Sequence, residues 1–191
     1  MPRHRFSDTR HRIEQAAIRL FVEKGVAETT VRDIARAVDI SEGALYRHFV
    51  SKDALVWAVF ERHYMEFAGR LEALAKGETT THGKLAAMIR GFCHAHDENP
   101  TLFRFLLFVQ HGQLGKLAPG TPNPVDAVRT VLDRGIASKQ IPDQPPDVAT
   151  ALVFGIVLQP VTFAAYGRIP SRMASMCDRL VTAAWAAVNS V

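Results

Sequence analysis

Residues 29–52, TTVRDIARAVDISEGALYRHFVSK, constrain the chain more tightly than any other stretch. Thr30 precedes Val31 and stands three residues before Asp33, an N-terminal capping arrangement. Val31, Ile34, Ala35 and Val38 then give a short amphipathic helix, which Asp39 and Ile40 turn. Ser41 caps the next helix and leaves backbone N–H groups at its start able to face a phosphate. Ser51 repeats the device, with the Lys52 cation beside it. Advancing about 100° per residue from Leu45 as the inward reference, Phe49 falls on the same side, Gly43 and Arg47 point almost opposite, and Ala44, Tyr46 and His48 lie on the flanks. Two residues pack this helix and five face outward. A merely solvated face, as in three small helices of a generic bundle, is usually rich in Glu and Lys. This one offers glycine, alanine, arginine, tyrosine and histidine, which allow close approach to a duplex.

Upstream, Ile13, Ala16, Ala17, Leu20 and Phe21 form one apolar stripe and predict a first helix over residues 9–25, with Gly25 suited to its C-terminal cap. Before and within its start, Arg3, Arg5, Arg10 and Arg12 read as a basic arm placed to touch a DNA backbone, or as ordinary solvated charge. Residues 1–52 hold ten Lys and Arg against seven Asp and Glu, whereas the remainder holds thirteen against twelve, so the excess charge gathers at the N-terminal end. Two cysteines in apolar helical contexts, without CxxC spacing, fit a reducing cytosolic compartment. The polar start MPRHRFSDTRHR has no apolar run behind it, so no secretory signal is expected there.

A long helix is predicted from Lys52 to about Lys76, carrying Val56, Phe60, His63, Phe67 and Leu74 on one side and Leu55 and Val59 on a second. Further helices are expected over residues 83–98, 101–112 and 124–138, with proline- and glycine-rich breaks between. Residues 148–167 carry no charge over twenty positions, long enough to raise a membrane span. Gln159, Pro160, two threonines and two glycines favour a buried helix instead. The last helix, residues 171–189, has Met173, Cys177, Leu180, Ala184 and Val188 on one face and Val181 and Trp185 on another. It therefore calls for two partners, its own core and a second subunit.

The segments TTVRDIA (residues 29–35), Ser41 to Lys52 with its LYRHFVSK, and Asp53 to Leu55 resemble the DNA-binding region of the TetR family of transcriptional regulators over roughly residues 8–60. The resemblance implies an all-α homodimer. Residues 1–52 would be an N-terminal three-helix helix-turn-helix DNA-binding domain, and residues 53–191 a helical ligand-binding and dimerisation domain. It assigns Tyr46, His48 and Lys52 to phosphate contacts and Arg32, Gly43, Ala44 and Arg47 to base-facing positions, while Glu42 either accepts from cytosine or favours the helix start. The implied function is a ligand-responsive cytoplasmic regulator, in the first instance a repressor, on a palindromic operator. The partners are double-stranded DNA, a small-molecule effector and a second copy of the chain, with no membrane. The effector would change the spacing of two DNA-binding heads, with the long helix from Lys52 as the lever.

For an apolar or aromatic effector the candidate lining is Phe60, Tyr64, Phe67, Phe92, His96, Phe103, Gln110, His111, Phe154, Gln159 and Phe163, each also readable as core packing. Pro160 would release a helix carbonyl beside Gln159. The expected dimer interface comprises Val157, Val161, Ala165, Leu180, Ala184, Trp185 and Val188. His94 and His96, two positions apart on a helix, diverge by about 200° and cannot readily share an ion, so no metal or other cofactor is expected. No glycine-rich phosphate loop, GxSxG or HExxH is present, so no enzyme activity is expected. Two other readings stay open: a membrane-associated regulator anchored by residues 148–167, and a small-molecule-binding helical protein without DNA function.

Overall fold

The computed structural model describes residues 3–190, with side chains from Asp8 onward. Among these it is all-helical: α1 Arg3–Lys24, α2 Val31–Ala37, α3 Glu42–Tyr46, α4 Lys52–Lys76, α5 Thr81–Glu98, α6 Pro100–Gln113, α7 Pro124–Ala137, α8 Pro146–Ala165 and α9 Cys177–Asn189. Short 3-10 turns at Leu114–Lys116 and Met173–Met176 complete the path. Packing sorts the chain into two units. The first holds residues 1–63 together with 101–118, and the second holds 64–100 and 119–191. The packing division therefore falls within α4, after His63, and gives α6 to the first unit; a functional division at residues 52 and 53 remains a proposal.

Local chemistry sets the helix starts of the first unit. The Thr30 hydroxyl accepts from the Asp33 N–H (3.1 Å) while the Asp33 carboxylate accepts from the Thr30 N–H (3.0 Å), which closes a reciprocal cap on α2. Ser41 Oγ accepts from Ala44 N–H (3.1 Å) and Ser51 Oγ from Ala54 N–H (3.0 Å). Between α2 and α3 the chain turns through Asp39 in the left-handed region (φ 55°), a conformation that Asp adopts more readily than most residues. Ile13, Ala16, Ala17, Ile34, Leu45, Leu55, Val59 and Phe60 are fully buried, and Phe105 from α6 stacks on Phe21 of α1 (centroids 5.9 Å, 20° apart).

Two expectations change here. α1 begins at Arg3, so its early arginines are helical and do not form a separate arm. The third helix is also shorter than its apolar spacing suggested: α3 stops at Tyr46, and Arg47 and His48 lie in the turn that follows.

In the second unit α5, α7, α8 and α9 pack on one another. Leu85, Met88 and Ile89 of α5, Leu132 of α7, Ala149, Val153, Val157 and Val161 of α8, and Ala184 and Val188 of α9 are buried. Asp97 ties α5 to the turn before α9 by accepting the N–H groups of Met173 (2.8 Å) and Ala174 (2.9 Å). The expectation of a buried α8 is corrected. Only 28% of its most apolar stretch is buried, although by length and composition the helix could cross a membrane. Val148, Leu152, Phe163 and Tyr166 lie outward, and Leu152 and Tyr166 are 43% and 67% exposed.

Candidate nucleic-acid interface

The surface of the first unit is built from the outward residues of α3 and the turn after it. Leu45 and Phe49 are buried (0% and 4% exposed) and anchor the segment. Glu42, Gly43, Tyr46 and Arg47 are exposed, and Ala44 and His48 are half-buried. A Cβ placed on Gly43 would meet nothing within 4 Å. The chain's own packing therefore does not require glycine there, although glycine in a helix costs about 0.5–1 kcal/mol relative to alanine. Arg32 in α2 is exposed, and neither it nor Arg47 has an ion pair among the described residues. Burial, followed by the nearby cations of Arg10 and Arg47, pushes the His48 imidazole below its ordinary pKa. Near neutral pH it is uncharged, and it can meet a phosphate as an N–H donor but not as a cation.

Lys52 is occupied otherwise than the sequence suggested. Its Nζ donates to the carbonyl oxygens of Val26 (2.7 Å), Ala27 (3.1 Å) and Thr29 (2.9 Å). An ammonium has three N–H donors, so all are used in holding the loop between α1 and α2. Lys52 therefore has no N–H left to donate to a phosphate. Arg10 and Arg12 are likewise drawn inward. The Arg10 guanidinium lies 4.4 Å from the Phe49 ring centroid and bonds Glu14 (3.2 Å), while Arg12 donates to the carbonyl of Val38 (2.6 Å). These contacts tie α1 to the helix-turn-helix. The side chains of Arg3 and Arg5 lie outside the described residues.

Glu14 and Thr29 are structural residues that the sequence reading did not single out. Glu14 is 2% exposed and pairs with Arg62 of α4 (2.7 Å) as well as Arg10. Thr29 is fully buried and donates its hydroxyl to the carbonyls of Gly25 (2.7 Å) and Leu20 (3.2 Å). The Arg10 to Glu14 spacing of one helix turn was a readable signal for the first pairing.

The eleven effector candidates divide between the units. Phe60, Phe103, Gln110 and His111 belong to the first, where Phe60 and Phe103 are core. Tyr64, Phe67, Phe92, His96, Phe154, Gln159 and Phe163 belong to the second. Of these, Phe67, Phe92 and Phe154 form an edge-to-face chain, with centroids 4.7 and 5.7 Å apart. Tyr64 is buried, and its phenol is pushed up to about 12 by that burial and by Asp126. His96 is buried against Asp97 (3.0 Å) and acts in the α5 anchor. Gln159 and Phe163 are exposed. Two surface clefts of the second unit, one beside Arg70, Leu74 and Arg90 and one beside Lys76, Lys84 and Arg134, are lined by none of the eleven. No group of three or more His, Cys, Asp or Glu side chains among the described residues could hold a metal ion.

The residues expected at a dimer interface are mostly packed inside the chain itself. Val157, Val161, Leu180, Ala184 and Val188 are at most 7% exposed and face the chain's own core. Ala165 is half-exposed, and Trp185 packs edge-on to His82 (4.8 Å).

The family model for bacterial regulatory proteins of the tetR family matches residues 13–59, from the buried stripe of α1 into α4. Residues 13–59 form a TetR-family regulatory domain. Among curated TetR-type relatives, the chain is 30% identical over 134 residues to the HTH-type transcriptional repressor Rv3405c of Mycobacterium tuberculosis, covering 66% of this chain and 62% of that protein. It is 31% identical over 107 residues to the nucleoid occlusion factor SlmA of Actinobacillus pleuropneumoniae, covering 56% of this chain and 53% of that one. It thus spans less than two thirds of the length of these relatives. The same fold recurs in the Bacillus subtilis regulator FadR in complex with stearoyl-CoA (TM-score 0.75, 18% identity, 95% of this chain and 98% of that one). A TetR family regulator from Marinobacter aquaeolei is also similar (TM-score 0.77, 21% identity, 97% and 98%).

Proposed function

We propose that this TetR-family chain is a ligand-responsive transcriptional repressor that binds a palindromic operator as a homodimer. The reading rests on one observation: exposed Gly43, Tyr46 and Arg47 and half-buried Ala44, on a short helix and the turn after it, anchored by Leu45 and Phe49, with open space above Gly43. Small side chains let such a segment approach the floor of the major groove, where an arginine bonds guanine O6 and N7 with two parallel donors. Arg32 and Arg47 read bases, Tyr46 and neutral His48 donate to phosphates, and Glu42 favours the start of α3 or accepts from cytosine.

The second copy docks on the outward face of α8 and the residue that caps it, where Val148, Ala151, Leu152, Gly155 and Tyr166 are exposed. Two heads then meet half-sites about 34 Å apart. A small apolar or aromatic effector seated at the Phe67, Phe92 and Phe154 cluster favours a non-matching spacing and lowers DNA affinity by about 1–3 kcal/mol. That a protein of this fold is known with stearoyl-CoA supports an apolar ligand. The functions belong inside the cytoplasm, and no catalytic role is proposed. The apolar outer face of α8 also supports a second reading, a membrane-associated regulator. Co-sedimentation with vesicles in the absence of DNA would favour that one.

The deciding experiment selects bound fragments from random and flanking DNA with purified protein, then repeats the selection with Arg47→Ala. A specific, salt-sensitive complex whose sequence preference relaxes in the variant is expected. Equal loss on specific and random DNA refutes base reading by Arg47.

A further inference from the structure

A cleft of about 440 Å³ in the second unit lies among the last turn of α4, the first turn of α5 and one side of α7. Lys76, Lys84 and Arg134 line it with a single carboxylate, Glu72. None of these four groups has an ion pair among the described residues. Lys76 and Arg134 occupy the last turns of their helices, where a cation complements the helix dipole. Lys84 does not: it follows Thr81 by three positions at the opening of α5, where the dipole is already positive. Lys84 is thus a cation set against its own helix dipole and beside two further cations.

The cleft is fixed in shape. Gln140 accepts from the Thr81 N–H (2.9 Å) and donates to Ser138 Oγ (3.1 Å), which joins the start of α5 to the end of α7. A Cβ on Gly135 would fall 2.5 Å from the Thr81 side chain, so the two helices approach there as only glycine permits. Of the four lining hydroxyls, two already donate inward, Thr130 to the Asp126 carbonyl (2.7 Å) and Ser138 to that of Gly135 (3.2 Å), and those of Thr79 and Thr81 add neutral donors. The charged donors are the two ammonium groups and the planar guanidinium, which grips paired anionic oxygens. The buried residues Ala75, Ala127 and Val131 supply an apolar wall. The volume lies within the usual range for small-ligand sites.

We propose that this cleft binds a small organic dianion, an oxyanion head on a compact apolar body, and that it is separate from the DNA surface. The proposal does not depend on the DNA-binding reading. The test is isothermal titration of the full chain, at constant ionic strength set with chloride, with phenyl phosphate in one arm and phthalate in the other. Saturable binding of at least one is expected, and the arm that binds tells phosphate from carboxylate. Lys84→Gln with Arg134→Gln should weaken it at least about tenfold, and Lys76→Gln alone should weaken it measurably. Arg47→Gln, in the DNA head, should leave it unchanged. Circular dichroism checks the fold of each variant, and the Lys76→Gln result decides if the double variant does not fold. No saturation by either probe, equal binding by the cleft variants and parent, or loss on Arg47→Gln would each overturn the proposal.

Discussion

Replacing Lys52 by Met separates a structural lysine from a DNA-contacting one. The substitution keeps the aliphatic stem and removes three charge-assisted bonds of 2.7, 3.1 and 2.9 Å. A hydrogen bond to a charged group contributes about 1.5–3 kcal/mol when sheltered. The Val26 and Thr29 bonds are partly buried, while that to Ala27 is exposed and can be replaced by water. Counting only the two sheltered bonds, each discounted for its partial access to solvent, the loss is about 2–3 kcal/mol. With a urea slope of about 2 kcal/mol per molar, the unfolding midpoint of the first unit falls by roughly 1–1.5 M. Trp57 in α4 reports this unit, and Trp185, the other tryptophan, is replaced by Phe in both proteins to isolate the signal. The folded variant should keep the parent's dependence of DNA affinity on salt. A midpoint within about 0.3 M of the parent, together with a salt slope shallower by about one, would refute the clamp and return Lys52 to the phosphate backbone.

Gly43→Ala should leave unfolding unchanged or raise stability by up to about 1 kcal/mol, since its Cβ meets nothing, while weakening operator binding in a gel shift. If affinity is unchanged, position 43 does not approach DNA. Leu152→Asp on the outer face of α8 should give a folded monomer by sedimentation equilibrium. Val157→Asp, at a position 2% exposed, should instead unfold the chain by burying an unpaired carboxylate, and a folded Val157→Asp dimer would contradict this assignment. Because His48 is held below its ordinary 6.5 by burial and then by Arg10 and Arg47, the unfolded chain takes up the proton first. Stability is then fully present above about pH 6.5 and declines as pH falls below it. His48→Gln should flatten that part of the pH profile of the melting temperature, and a parallel profile would exclude the residue.

The starts of α2, α3 and α4 were legible because each cap acts within three residues, so Thr30, Ser41 and Ser51 carry the whole signal locally. The outward set on α3 was legible for the same reason, through the phase that Leu45 and Phe49 set. Lys52 was not, because its partners are backbone carbonyls more than twenty residues upstream, and a carbonyl has no letter in the sequence. Arg10 and Arg12 read as a DNA-touching arm or as solvated charge because Phe49 and the Val38 carbonyl reach them only after folding. The facing of α8 escaped because its apolar residues run all round. With no polar stripe to fix the phase, Val157 and Leu152 are indistinguishable until the neighbouring helices choose between them. The effector candidates scattered because buried aromatics look alike in core and pocket.

The stack of Phe21 on Phe105 bears on how the protein is made. The first unit is discontinuous, since residues 101–118 return to it after a long excursion into the second. At about 5–20 residues per second, a nascent chain whose helix-turn-helix has left the ribosome waits several seconds for α6 to follow. During that interval Phe21 faces water, so the first unit acquires its final stability only when nearly two thirds of the chain has emerged. A fragment cut at residue 63 would remain in that unfinished state.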